Sequence, residues 1–495
     1  MAEVSARRRP VLPHHWVVFS VVVSAIFVAS MDAGMVPVIF PRIEASFPGT
    51  PATTLSWVLT AYTMALAALV VTTGRLGDRS GRKRLFIAGL ALFIVGAFLC
   101  ALAPSPGLLI AARIVQGTGH ALFTPASIGL ILAAFPIEGR TQALGAWVGI
   151  GGVAAAVGPT AGGAIAQYAD WSFVNGDAWR VAFALESVLC IPLLWRARRV
   201  LDIDTPADRS TRLPDPVGVV LLTVTLALTT LVIVQGRNWG WTSAGVLGAA
   251  GVALVTGTAF SWRSKRHPVP VIDFELLRRR AYRTSMAVSG LLSLSMFANL
   301  VMQAQLLQKA WGYSTMRAGL AVTPLAATAG IVSPLAPRLT NRFGHKPVII
   351  VGMGLTTIGL AMFAVLPGED PQYLTRFLPA TVLIGIGAWG LGISMVNAAA
   401  STTLTPDNFG VGMAILQTIR QAGGIVGTAL FFGLFGTPSP DELLPTFHRL
   451  WALFACICAG ALLFAFRLPA TRPQSTEVAR VTTGRARSGA PPSGG

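Results

Sequence analysis

Charge is what this 495-residue chain has least of: Asp, Glu, Lys and Arg together make up 12% of it, against 53% hydrophobic residues. That leaves too little polar surface to cover a soluble globule of this size. Acids are scarcer still, 20 against 38 basic residues, and only four of the basic residues are lysine. Cysteine is nearly absent too. The four present, Cys100, Cys190, Cys456 and Cys458, all fall inside apolar runs, so no disulfide framework and no metal site is implied. No P-loop, no H-E-x-x-H, no C-x-x-C pair and no G-x-S-x-G following a strand occurs. ATP coupling is therefore unsupported, no cofactor is expected, no residue is assigned a catalytic role, and the chain does not read as an enzyme.

What is there instead is apolar length. Runs of roughly 14 to 28 residues recur, most of them long enough to cross about 30 Å of hydrocarbon as a helix. They lie near 16–40, 55–73, 85–103, 108–135, 143–167, 181–194, 217–234, 244–262, 285–307, 318–337, 348–366, 374–399, 411–436 and 451–466, about fourteen in all. The first is too long for a signal-peptide core, carries Asp32 and lacks an A-x-A site, so it is expected to be an uncleaved span. Of the 38 Lys and Arg, about 29 fall in the tails and loops that an even span count puts on one face, and about seven on the other. That face is expected to be cytoplasmic, with both termini on it, in a multi-pass protein of the inner (plasma) membrane. The net charge of +18 then reflects topology, with contact to lipid head groups as a secondary effect. Nucleic acid is not an expected partner, because the basic residues alternate with spans instead of forming one patch.

The most charged short stretch, "GRLGDRSGRKRLF" at 74–86, returns about 260 residues later as "PRLTNRFGHKPVI". Arg75/Arg338, Leu76/Leu339, Arg79/Arg342, Gly81/Gly344 and Lys83/Lys346 stay in register. Each copy follows the second span of its half. The chain divides accordingly into a tail at 1–15, a six-helix half at 16–200, two inserted helices with their loops at 201–283, a second six-helix half at 284–467 and a tail at 468–495 expected to be disordered.

"GRLGDRSGRKR" resembles, position by position, the loop signature between helices 2 and 3 of the major facilitator superfamily, and the chain is similar to the fourteen-helix drug/proton antiporter branch of that family. The resemblance implies an all-α integral membrane fold, with two six-helix halves plus two inserted helices. It also implies a gating latch of Gly74, Asp78, Arg79, Gly81, Arg82 and Lys83, in which the acid and its basic neighbours bridge to helix ends of the other half. Physically, Gly74 and Gly81 are expected to permit close helix approach and unusual backbone angles, while the basic residues hold the inner face. In the fifth span, "GAWVGIGGVAAAVGPTAGG" resembles the antiporter signature through Gly145, Gly158, Pro159, Gly162 and Gly163, with Ala154 where the pattern has a glycine. Gly158 and Gly162 share a helix face, which lets a neighbouring helix approach closely.

Ionisable residues inside spans each cost roughly 2.5 to 3.5 kcal/mol at mid-membrane, so they carry the most weight. Asp32, in "SMDAGMVPVIFPRI", and Arg113, in "LIAARIVQGTGHALFTPAS", match first- and fourth-helix motifs of the branch and lie at comparable depth. An acid exchanging a proton beside an arginine suits antiport; a static ion pair is the alternative. His120 shares the helix face of Arg113 and suits proton relay or a structural role, and Glu186 is a second candidate proton carrier. Met296, Asn299, Gln303 and Arg420 are candidates for the wall of a substrate cavity, with polar packing between helices an equal reading for Asn299 and Gln303. The expected function is proton-coupled export of amphiphilic small molecules by alternating access, with substrate, protons and membrane lipids as partners and a monomeric state. An importer or facilitator of one metabolite, and a non-transporting membrane sensor, are the other readings.

Overall fold

The structure is a computed structural model; it describes residues 14–169, 177–201, 215–272, 276, 278–404 and 409–469. Among the described residues there is no strand. The long helices are α1 (His14–Ser46), α2 (Trp57–Ser80), α3 (Arg82–Leu102), α4 (Pro106–Ala134), α5 (Ile137–Tyr168), α6 (Trp179–Val200) and α7 (Pro216–Trp239). They continue as α8 (Ala244–Arg266), α9 (Arg280–Gln305), α10 (Thr315–Val332), α11 (His345–Phe363), α12 (Tyr373–Ser401), α13 (Phe409–Phe435) and α14 (Pro440–Phe466). Among the described residues, 12 helices are long and apolar enough to cross a membrane. Helices α5 and α6 are not among those 12, yet at 32 and 22 residues they pack within the same bundle. Thirteen of the fourteen expected runs thus each correspond to one helix.

Local chemistry sets several boundaries. Ser105, Ser243 and Ser314 cap α4, α8 and α10 by accepting from a backbone N–H three residues on. Gly81 separates α2 from α3 with φ of 94°, and Gly344 occupies the same place in the second copy with φ of 85°. L-residues rarely adopt such angles, so the repeat preserves a backbone requirement as well as charge. Gly74 is a correction: its nearest neighbour to an added Cβ would be Pro125 at 3.7 Å, ordinary contact that makes no demand for glycine. The run expected at 318–337 also divides. α10 stops at Val332, and a separate short helix, Ala336–Phe343, follows Pro334. In α12, residues Gly385–Gly392 form a wide π turn whose glycines lie against Leu325 of α10 and Gly352 of α11.

Two bundles, α1–α6 and α9–α14, meet along seams related by the repeat: α5 packs on α10, and its counterpart α13 packs on α2. The same small-residue device serves both bundles. Gly158 and Gly162 let α5 approach Met31 and Met35 of α1, while Gly423 and Gly427 let α13 approach Gly290 and Leu294 of α9. The other face of α5 closes one seam, where an added Cβ on Gly163 would lie 2.7 Å from the Thr315 carbonyl oxygen. The inserted pair α7–α8 lies along the second seam. α7 contacts both α2 and α13, with Gly433 set against the Ile233 carbonyl and Arg237 donating to the Leu434 carbonyl at 3.2 Å. At its start, Asp215 caps α7 and is held by Arg263 of α8, whose Nη2 donates at 2.9 Å.

At the end of the bundle where α1 finishes, called distal here, polar contacts join the halves. Lys309 pairs with Glu44 at 3.0 Å, Gln308 donates to the Val38 carbonyl at 2.9 Å, and Ser314 donates to Gln167 at 3.2 Å. Thr160 and Thr323 share a hydrogen bond deeper in. The distal end is closed.

Gly158→Leu and Gly427→Leu are therefore expected to lower thermal stability in detergent by about 1–3 kcal/mol through overpacking. Gly248→Leu on α8, where an added Cβ meets nothing within 4 Å, is the control and should leave the unfolding midpoint unchanged or higher.

Candidate coupling site in the first bundle

Four helices of the first bundle bring their polar side chains to one buried point. Asp32 of α1 and Arg113 of α4 are 0% and 2% exposed, and Arg113 Nη1 donates to Asp32 Oδ1 at 2.7 Å. The same nitrogen donates to Gln116 Oε1 at 2.7 Å, and Arg113 Nε donates to the Val58 carbonyl of α2 at 2.9 Å. Gln116 is held by its oxygen and passes the contact on: its Nε2 donates to Glu186 Oε2 of α6 at 2.7 Å. The Arg113 guanidinium also lies 4.2 Å from the Tyr62 ring centroid, with Phe183 at 5.5 Å on the α6 side.

One cation thus faces two carboxyl groups. Asp32 Oδ2 and Glu186 Oε1 are both buried, and neither finds a hydrogen-bond partner among the described residues. Low dielectric makes such leftover capacity expensive, so these two oxygens are where the network is incomplete. His120 sits two turns along α4 from Arg113, half-buried, and its Nδ1 shares a hydrogen bond of 2.6 Å with the Tyr62 hydroxyl. Tyr62 therefore lies between His120 and Arg113.

Sequence reasoning missed Gln116 and Tyr62. Gln116 belongs to the quoted fourth-helix motif, and its place three residues after Arg113 puts it on the same face, which is the signal that was available. Tyr62 carries no such signal in an apolar span. Arg82 of the loop signature donates to the Gly129 carbonyl of α4 at 2.9 Å, a partner in its own half. Of Asp78 and Gly145 only the helical backbone is described, Asp78 in α2 and Gly145 in α5. Arg79 is exposed, and Lys83 lies in the first turn of α3.

In the second bundle, Asn299 is 1% exposed and accepts from Trp451 Nε1 of α14 at 3.1 Å, which makes it a packing contact between helices and not a wall residue. Met296, a turn earlier on that face, is 1% exposed, and Gln303, a turn later, is fully buried with neither amide atom partnered. Arg420 of α13 is half-buried and donates to Gln417.

With this geometry in place, comparison with known proteins is informative. The sequence profile of the Major Facilitator Superfamily matches residues 22–427 and again 285–490. The "Probable actinorhodin transporter" of Streptomyces coelicolor is 31% identical over 448 residues, covering 88% of this chain and 76% of the relative. The "Multidrug resistance protein Stp" of Mycobacterium tuberculosis is 28% identical over 429 residues, covering 86% and 76% respectively. Among solved structures, the xylose transporter XylE of E. coli in a partially occluded inward-open conformation superposes with a TM-score of 0.62 at 14% identity, covering 93% of this chain and 100% of that one. This last likeness is one of fold.

Breaking the buried pair from one side strands a charge, at a cost of about 3–5 kcal/mol. Arg113→Ala should accordingly depress the unfolding midpoint strongly, and Asp32→Asn on top of it should restore part of the loss. A double variant no more stable than Arg113→Ala would mean the two side chains do not depend on each other.

Proposed function

The chain belongs to the Major Facilitator Superfamily, and we propose that it is a proton-coupled antiporter that exports amphiphilic small molecules across the cytoplasmic membrane by alternating access. The observation that carries the reading is the charge imbalance around Arg113: two buried carboxyl groups, Asp32 and Glu186, share one guanidinium, and each has an unpartnered oxygen. Electroneutrality calls for one proton on the pair. Its presence or absence then decides how tightly Arg113 binds α1 to α4. Coupling follows from that difference, since a proton shifts an equilibrium between two bundle arrangements only by its unequal affinity for them. Asp32 carries the proton, Arg113 tunes it, Glu186 shares it as the second carboxyl group beside the same guanidinium, and the Tyr62–His120 pair gives it a way out of the network.

Drug export is supported by relatives whose names state multidrug resistance and antibiotic transport. The orientation is supported by the basic helix ends opposite the closed distal face. There Arg199 stacks on Trp195 at 3.7 Å and Arg266 on Trp262 at 4.4 Å, pairs suited to a cytoplasmic membrane interface. With the distal face as the outside, a closed distal gate is the arrangement that loads substrate from the cytoplasm. The latch around Asp78 stabilises the opposite arrangement. One proton moving inward across 100 mV releases about 2.3 kcal/mol, enough for a roughly fifty-fold gradient of a neutral substrate.

In proteoliposomes with an imposed proton gradient, Asp32→Asn should abolish uphill export and the proton release that substrate addition triggers, because Asn cannot ionise. Concentrative export by that variant would move the coupling role to Glu186 or His120. Asp78→Asn should impair transport with membrane insertion intact, since the arginines that set topology remain; wild-type rates there would reduce the stretch to a topology signal.

A further inference from the structure

Helix α13 uses three faces for packing. Thr418 donates to the Ala67 carbonyl of α2 at 3.1 Å, and Ile425 clusters with Met64 and Ala67 of the same helix. Ile419, Gly423 and Gly427 face α9, while Gly433 and Gly436 face α7. Stepping about 100° per residue puts Arg420, Gln417 and Gly424 on what remains, the side between α2 and α9 that looks into the interface of the two bundles. An added Cβ on Gly424 would meet the Phe297 ring at 2.8 Å, so an aromatic surface adjoins this strip.

Arg420 has no counter-charge there. Its one hydrogen bond among the described residues goes to the neutral amide of Gln417, and no described carboxylate forms an ion pair with it. The described acids of the second bundle, Glu369, Asp370, Asp441 and Glu442, all lie in distal connections or the first turn of α14. Arg420 lies eleven residues into α13, about 16 Å along the helix from its first residue.

We propose that Arg420 is the anion-recognising group of the transport pathway, so that the exported molecules include amphiphilic organic anions, carboxylates or acidic phenols, whose apolar part rests on the strip beside Phe297. The inference rests on the exporter reading and specifies its substrate. A guanidinium with most of its N–H donors unspent presents a planar fork matched to a carboxylate, and a half-buried setting strengthens that contact without making Arg420 inaccessible. A cationic ligand would instead meet like charge at this point.

The test uses two xanthene dyes of opposite charge, anionic fluorescein and cationic rhodamine 6G, titrated against the purified full-length protein in detergent and read by fluorescence anisotropy. Fluorescein should bind the wild type and lose at least tenfold in affinity in Arg420→Gln. Arg420→Lys should retain part of it, and rhodamine 6G should bind Arg420→Gln no more weakly than the wild type. Gln417→Glu, which neutralises Arg420 in place, should cost fluorescein as much as Arg420→Gln does, and it carries the test if the latter does not stay monodisperse. Fluorescein that fails to bind the wild type, or binds all variants alike, overturns the assignment, as does an equal loss for both dyes. Because binding is read without a proton gradient, failure here leaves the Asp32→Asn outcome to judge coupling separately.

Discussion

A guanidinium with only 2% of its surface exposed must find every partner inside the protein, and Arg113 finds them on four helices. Its bonds reach Asp32 on α1, the Val58 carbonyl on α2 and Gln116 on its own helix, and through Gln116 they reach Glu186 on α6. The first bundle is thus organised around a polar hub that hydrocarbon would penalise heavily anywhere else. That cost is what makes the hub sensitive to charge: Asp32 and Glu186 each keep one buried oxygen without a hydrogen-bond partner among the described residues.

The second bundle repeats the backbone plan without the hub. Gly423 and Gly427 do for α13 and α9 what Gly158 and Gly162 do for α5 and α1, and the Gly344 turn repeats that at Gly81. Where the first bundle joins Asp32, Glu186 and Arg113 in one network, the second has the half-buried Arg420, whose hydrogen bond among the described residues goes to the Gln417 amide. Duplicated packing thus carries unequal polar content in the two halves.

Much of this was legible in the sequence, for identifiable reasons. Helix positions follow from hydropathy, which is local, and the nearness of Asp32 to Arg113 follows from counting rise along two antiparallel spans. Counting gives depth and face but not which neighbour a face meets. Asn299 therefore read equally as a cavity wall or a contact, and only the structure places it against Trp451. The π turn of Gly385–Gly392 left no trace, because widening a helix does not alter its hydropathy. Gly74 misled for a related reason: a glycine in a motif signals small size, not whether the space around it is tight.

The two seams between the bundles are alike in origin and unlike in cover. Along α2 and α13, the inserted pair α7–α8 stands outside the joint, tied on by Arg237 and braced within itself by the Asp215–Arg263 contact. Along α5 and α10 no comparable helix pair stands outside among the described residues, and Val153, Val157 and Leu320 are exposed there. To a solute dissolved in the bilayer, the protein therefore presents two differently built flanks, one faced by an added helix pair and one formed by the packed bundles themselves. The chain's extra eighty or so residues between the halves thus thicken one flank and leave the other to direct helix packing.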